Sequence, residues 1–314
     1  MNKWNYYTTK KSSNGYEEVL NELKCYTKQR YQALNDEQKE RMIDEVFDIY
    51  RSKNIFPITY YNNEGVKSEI KKCIDKEVKF DGQVLDFKFN QGGALCKFLF
   101  PNLHKVECKN ATNNSMYERF YNDHKLKRAI KLSLSIKKSV TPSEVRSSLE
   151  LIGGNVATNF KPMNAKALYE YYVPENGVIY DFASGFGGRM LGALSSKKNF
   201  KYIGVEPCTE TFENLQTLGK CIESVTGREN SFEIFKVGSE EFKYNQEECV
   251  DFAFSSPPYF NLERYSNEDT QCYNKYNEVE TWLEGYVRPT IKTMLHPSCH
   301  PPTSATTELR SPKS

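Results

Sequence analysis

The chain has 314 residues, of which 38% are hydrophobic, 27% charged and 13% aromatic. This length and composition allow a sizeable core in one large or two ordinary domains. They exclude both wholesale disorder and a small module that depends on disulfides or metal. No apolar run approaches the ~18 residues of a membrane span, and residues 1–6 lack the apolar stretch of a secretory signal. We therefore expect a cytoplasmic protein without a membrane partner.

The cysteines and the charge distribution narrow the class further. The nine cysteines are odd in number and form no C-x2-C or C-x4-C pair, which favours free thiols in a reducing compartment over disulfides or a zinc site. The net charge is +2, yet residues 1–150 carry 27 Lys and Arg against 20 Asp and Glu, whereas residues 151–314 carry 16 against 21. A basic half beside an acidic half is typical of a polyanion-binding part joined to a part with another task, but ordinary surface charge gives the same balance.

Residues 1–150 predict an α+β region. Helical periodicity covers residues 17–34 and 37–51. Residues 55–61 and 78–100 are rich in aromatic and β-branched residues and are broken by Asp-Gly and Gly-Gly pairs, which predicts short strands.

A basic helix is predicted over residues 116–138, and a short helix follows it. Helical spacing places Lys127, Lys131 and Lys138 on one face, where a DNA phosphate backbone could lie along them. A solvated helix face is the alternative explanation of this pattern. After it, Thr141-Pro142-Ser143-Glu144 predicts a capped helix start, and Gly153-Gly154 predicts its end, at a hinge between the two halves.

The second half alternates strands and helices. Strand patterns cover residues 178–182, 202–206, 232–237 and 250–254, and helical patterns cover residues 189–196, 209–226 and 281–295. This alternation predicts a parallel, doubly wound α/β sheet, whose ligands bind at the carboxyl ends of the strands.

The loop Asp181-Phe-Ala-Ser-Gly-Phe-Gly-Gly-Arg189 lies where the first of these strands turns into a helix. Glycines there let the backbone approach a ligand. A dinucleotide fingerprint would need a third glycine in place of Met190. The carboxylate of Asp181 suits a ligand with an ammonium group, and Glu206, after the second strand, suits the hydroxyls of a ribose. Together they indicate S-adenosylmethionine as the cofactor, while a purely structural glycine turn is the alternative.

The segment Ser255-Ser256-Pro257-Pro258-Tyr259-Phe260 follows the fourth strand. Two prolines fix the backbone and remove amide donors, so the Ser256 hydroxyl and the Pro257 carbonyl are held as acceptors for an exocyclic amine. The rings of Tyr259 and Phe260 could stack on a base turned out of a duplex. In isolation, a Ser-Pro-Pro turn that only ends a strand would look the same.

With Asn159-Phe160-Lys161-Pro162, these motifs resemble the bacterial and phage amino-methyltransferases that modify DNA bases, over about residues 155–294. The resemblance implies a Rossmann-like methyltransferase sheet, with S-adenosylmethionine as cofactor, DNA as partner and a restriction nuclease as candidate companion. It places Phe160, Lys161 and Pro162 against the methionine part, and the glycine loop with Asp181, Ala183, Ser184, Gly185 and Gly187 around its tail. It also places Glu206 on the ribose and Ser239 and Glu240 by the adenine, with Ser256, Pro257, Pro258 and Tyr259 as the catalytic motif. Serine in the first motif position favours cytosine N4 over adenine N6 as the target.

The expected organisation is an N-terminal DNA-contacting region over residues 1–150, a methyltransferase domain over residues 151–295 and a disordered tail over residues 296–314. A complete domain of this family continues with about three more strands, so we expect a sheet cut short at its C-terminal side, with an exposed edge. The tail residues His296, Cys299 and His300 resemble metal ligands only by accident. RNA or a protein amide as the substrate, and a non-catalytic nucleic-acid-binding remnant, are the alternatives.

Overall fold

The structure is a computed structural model that describes residues 10–83, 85, 89–109, 115–243, 250–260 and 262–294. The helices in the first half are α1 Lys10–Leu23, α2 Lys28–Gln32, α3 Asp36–Lys53, α4 Asn63–Asp75, α5 Gly93–Leu99, α6 Met116–Tyr121, α7 Asp123–Ile136 and α8 Pro142–Gly153. Those in the second half are α9 Pro162–Tyr172, α10 Gly188–Leu194, α11 Thr209–Thr226, α12 Cys272–Lys275, α13 Val279–Trp282 and α14 Arg288–Met294. The strands are β1 Glu107–Cys108, β2 Val178–Asp181, β3 Lys201–Val205, β4 Phe232–Phe235, β5 Phe252–Ala253 and β6 Glu263–Arg264.

A four-stranded parallel sheet in the order β4-β3-β2-β5 organises the second half. Val178 pairs with Lys201, and Ile179 pairs with Phe252 on the other side of β2. Helices α10 and α11 connect β2 to β3 and β3 to β4, as the alternation of patterns predicts. The four strands are parallel, so their carboxyl ends meet at one edge of the sheet. The mixed α/β class and the parallel sheet are confirmed.

The α+β prediction for the first half is only partly right in the described residues, which are mainly helical. Phe80 and Leu85 form an isolated antiparallel bridge across the predicted Asp81-Gly82 turn. Residues 55–61 form no strand, and residues 93–99 form α5, four of whose apolar side chains are buried. The strand β1 lies in this half, but it pairs antiparallel with β6 of the second half. A short apolar run does not distinguish a strand from a buried helix, and packing against the rest of the chain decides the outcome here.

Two main hydrophobic cores divide the chain differently from the predicted boundary at residue 150. The larger core joins Ile70 of α4 and Phe98 of α5 to Tyr202 of the sheet. The second core joins Val46 of α3 to Leu126 of α7 and other residues of the N-terminal helices. The buried apolar residues between Ile58 and Cys108 therefore belong to the core of the sheet.

The predicted helix after Thr141 is confirmed as Pro142–Gly153, and the Thr141 N–H donates to Glu144 Oε2 over 3.4 Å. None of the described helices combines the length and apolar character that crossing a bilayer requires. The predicted tail 296–314, with its three candidate metal ligands, lies outside the described residues.

Candidate active site

A cleft opens at the carboxyl edge of the parallel sheet, where the loops after β2, β3, β4 and β5 converge. It contains about 1010 Å³ of space, part of it continuous with solvent. Nine of the residues selected from the sequence line it: Phe160, Ala183, Gly185, Glu206, Ser239, Glu240, Ser256, Pro258 and Tyr259. The structure thus brings the glycine loop and the Ser-Pro-Pro-Tyr turn to one space.

The glycine loop has a backbone conformation that only glycine adopts readily. Gly185 has a φ of 57° and Gly187 a φ of 75°, which L side chains rarely adopt. A Cβ atom at Gly188 would collide with the Phe160 carbonyl oxygen. The Asn159 side-chain amide donates to the Phe186 carbonyl over 2.6 Å. The loop and the segment around Phe160 are therefore held tightly together on one side of the cleft.

Glu206 follows β3 and reaches back under the glycine loop. Its Oε2 accepts from the Gly185 amide over 3.1 Å, and its Oε1 accepts from the Cys208 amide over 2.9 Å. Burial raises the pKa of Glu206 to about 7, although these two amide bonds act in the opposite direction. Each oxygen retains a lone pair for a ligand hydroxyl.

Asp181 does not face the cleft, contrary to its expected role beside an ammonium group. It is fully buried, and the Arg189 guanidinium donates to its Oδ2 over 2.8 Å. The Tyr202 hydroxyl donates to the same oxygen over 2.6 Å. Burial acts to lower the pKa of Arg189, but the charge and hydrogen bonds of Asp181 raise it overall. The sequence interpretation missed Arg189 as the partner of this carboxylate.

Ser255 joins the Ser-Pro-Pro-Tyr turn to the glycine loop. Its hydroxyl donates to Asp181 Oδ1 over 2.6 Å and accepts from the Ala183 amide over 3.0 Å. The first residue after β5 is Phe254, whose N–H donates to the Tyr180 carbonyl. The turn therefore begins from a position fixed by β2 and by the buried carboxylate.

The Ser-Pro-Pro-Tyr turn presents only part of its predicted set to the cleft. Ser256, Pro258 and Tyr259 line it, whereas Pro257 does not. The Tyr259 side chain is 56% exposed, so its ring is accessible for stacking. Phe260, expected to stack on a base, has a φ of 48° and packs 5.6 Å from the Trp282 ring instead.

The loop after β4 brings buried polar groups to the far side of the cleft. The Lys275 ammonium contacts Glu240 Oε1 at 2.9 Å, but Glu240 Oε2 is buried and has no hydrogen-bond partner among the described residues. The same holds for Nε2 of Gln271, another lining residue. Ser239 Oγ accepts from Thr290 over 3.3 Å. An unsatisfied acceptor and an unsatisfied donor in one cleft are typical of a site for a polar ligand.

Other predicted site residues lie outside the cleft lining. Lys161 and Pro162 begin α9, and Ser184 and Gly187 lie beneath the loop surface. Several lining residues were missed by sequence reasoning. Four belong to segments without a recognisable pattern: Glu263, Tyr265, Gln271 and Cys272. Tyr286 lies in the predicted helix over residues 281–295, whose pattern does not show that it faces the cleft.

The predicted basic stripe is partly neutralised. Lys127 contacts Asp44 at 2.6 Å, and Lys131 contacts Glu40 at 2.8 Å. Lys138 is exposed, but it follows the end of α7 instead of continuing its face. The acids come from α3, which packs on α7, so the pattern of α7 alone could not reveal them.

No protein-family model, curated protein or solved structure matches the chain. Within the part that the structure describes, no group of three or more His, Cys, Asp or Glu side chains could hold a metal ion.

Proposed function

We propose that the protein is an S-adenosylmethionine-dependent DNA methyltransferase that methylates an exocyclic base amine, cytosine N4 in preference to adenine N6. One observation carries the proposal: the glycine loop and the Ser-Pro-Pro-Tyr turn, distant in sequence, line the same cleft. The strand order β4-β3-β2-β5 supports a Rossmann-like, doubly wound sheet with its ligand at the carboxyl edge.

The polar groups of the cleft fit the parts of the cofactor. Glu206 can accept from the ribose hydroxyls, and the unsatisfied Oε2 of Glu240 can accept from the adenine amino group. Asp181 is occupied by Arg189, so it is not available for the tail ammonium. Arg189 itself lines the cleft, where its guanidinium suits the carboxylate of the tail.

The turn supplies the groups for the target base. When bound, S-adenosylmethionine provides a methyl group activated by a sulfonium. Ser256 Oγ accepts a hydrogen bond from an N–H of the base amine and so directs the nitrogen lone pair towards the methyl group. Tyr259 stacks on the flipped base. Cys272 also lines the cleft, but burial raises its pKa to about 11, and a protonated thiol is a poor nucleophile. Direct transfer without a covalent enzyme intermediate follows.

The proposal assigns DNA contact to the N-terminal half, which has the excess of positive charge. Tyr117 and Tyr121 are exposed there. It includes a cytoplasmic location, since the seven described cysteines are all free thiols, and a restriction nuclease as companion.

The test is incubation of the protein with methyl-labelled S-adenosylmethionine and separate pools of unmodified duplex DNA, RNA and protein. Label in DNA, with nucleosides identified by mass spectrometry, supports the proposal. Label only in RNA or protein refutes the substrate class, and cofactor binding without transfer indicates a non-catalytic remnant.

Variants make the test specific to the turn. Ser256→Ala should lower the transfer rate by about 10²-fold and leave cofactor binding unchanged. Ser224→Ala, on an exposed part of α11, is the matched control and should behave as wild type. Equal transfer by wild type and Ser256→Ala would contradict the role of the turn.

A further inference from the structure

We propose that Glu263 is the catalytic residue that accepts the proton lost by the target amine. This assignment rests on the proposed function and goes beyond the sequence motifs, which include no residue of β6. It concerns the side of the cleft that would hold the target base. There the turn presents fewer hydrogen-bond acceptors than its sequence predicts.

The backbone places Glu263 beside the reactive turn. The Leu262 N–H donates to the Tyr259 carbonyl over 3.0 Å, so the chain folds back directly after the motif. The next residue, Glu263, enters β6 and pairs in register with Cys108 of β1. Successive side chains of a strand alternate between faces, and Glu263 and Tyr265 both line the cleft while Arg264 is exposed.

Local contacts hold the Glu263 carboxylate in place. The Tyr265 hydroxyl donates to Oε2, and Cys108 Sγ lies 3.8 Å from Oε1. The Tyr265 ring centroid lies 6.2 Å from that of Phe186 in the glycine loop. The carboxylate is thereby connected to the turn through the backbone and to the cofactor loop through Tyr265.

The other carboxylates of the cleft are already committed. Three acidic residues line it: Glu206, Glu240 and Glu263. Glu206 accepts two backbone amides, and Glu240 pairs with Lys275. None of the ion pairs among the described residues involves Glu206 or Glu263. Because Glu206 accepts two backbone amides, Glu263 is the lining carboxylate that meets neither a charged partner nor a backbone amide in the part of the chain that the structure describes.

The chemistry of the transfer gives such a group a role. An exocyclic amine has two N–H bonds, and Pro257, expected to bind one of them, does not line the cleft. With Ser256 on one N–H, Glu263 takes the other. As the N–C bond forms, the methyl C–S bond breaks with its electron pair passing to sulfur, and the released N–H proton moves to the Glu263 carboxylate and then to solvent.

The test compares Glu263→Gln with wild type in single-turnover methyl transfer to unmodified duplex DNA. Glutamine keeps the size and can still accept from Tyr265 but cannot take a proton. The rate of transfer should fall by about 10²-fold, while the cofactor Kd and the DNA KM change less than about threefold. Glu263→Asp should recover at least about tenfold over Glu263→Gln.

Glu107→Gln is the matched control, because Glu107 is an exposed carboxylate on the paired strand β1 and does not line the cleft. It should transfer methyl at the wild-type rate. A transfer rate of Glu263→Gln within about threefold of wild type, or a parallel loss of cofactor binding, overturns the assignment. If wild type binds the cofactor but methylates no DNA, the proposed function itself fails, and this assignment fails with it.

Discussion

Glu206 makes the stability of the protein depend on pH in a predictable direction. Burial raises its pKa from 4.5 to about 7, so the folded protein holds this proton more tightly than the unfolded chain does. At pH values between these two pKa values, the folded state binds more protons than the unfolded chain does. The free energy of unfolding must therefore fall as the pH rises. The contribution is fully present below pH 4.5 and is lost above about pH 7.

The size of the effect follows from the shift. Each unit of pKa corresponds to about 1.4 kcal/mol, so the whole loss is about 3 kcal/mol, of which about 2.5 kcal/mol falls between about pH 5 and pH 8. Glu206→Gln removes the titration and keeps the side-chain size. Its stability relative to wild type should therefore rise by about 2.5 kcal/mol over that range, whatever constant cost the new amide adds beside Gly185.

Urea unfolding at several pH values between about 5 and 8 measures this difference. Glu229→Gln, which changes an exposed carboxylate after α11, is the control and should differ from wild type by the same amount at every pH. A difference between Glu206→Gln and wild type that stays constant within about 0.5 kcal/mol over the range refutes the reasoning.

Three further predictions concern the cofactor, the buried ion pair and the basic helix. If Glu206 accepts the ribose hydroxyls, cofactor binding favours its ionised form, so calorimetry should show about tenfold tighter cofactor binding at about pH 8 than at about pH 6. A cofactor affinity that does not change with pH contradicts this role. Asp181→Asn leaves the Arg189 guanidinium buried without its counter-charge and should lower the free energy of unfolding, measured by urea denaturation, by about 3–5 kcal/mol. A loss below about 1 kcal/mol would show that the ion pair contributes little to stability. Replacing Lys127 and Lys131 together by Gln should weaken duplex DNA binding less than about threefold in fluorescence anisotropy, because acids already pair with both; a tenfold or larger loss would restore the basic stripe as a contact surface.

The second half of the fold was predictable because its signals are local. Strands and helices alternate with clear breaks, and the predicted helix over residues 209–226 has the observed bounds of α11. The first half was harder because its aromatic runs carry no period. Residues 93–99 are apolar on several sides, and their helix is stabilised by packing against the sheet region, which the local sequence does not encode.

The candidate site also has a part that the sequence predicts and a part that it does not. The glycine loop and the Ser-Pro-Pro-Tyr turn depend on backbone features of glycine and proline, so the sequence predicts them. Two other features depend on side-chain contacts between separate elements, which the sequence does not show. Arg189 pairs with Asp181, and Phe260 packs against Trp282. Residues of the irregular chain after β5, such as Gln271, carry no signal of their own, and only the folded arrangement shows that they face the cleft.

The bridge from Ser255 to Asp181 has a consequence for how such a protein can diversify. The spacing between the glycine loop and the Ser-Pro-Pro-Tyr turn is set by one buried carboxylate, which connects the ends of two neighbouring strands through Ser255. Segments outside the cleft can therefore be exchanged or lengthened without changing the distance between the loop and the turn. Replacing Asp181 or Ser255 would instead shift the loop and the turn relative to each other, even if each kept its own conformation.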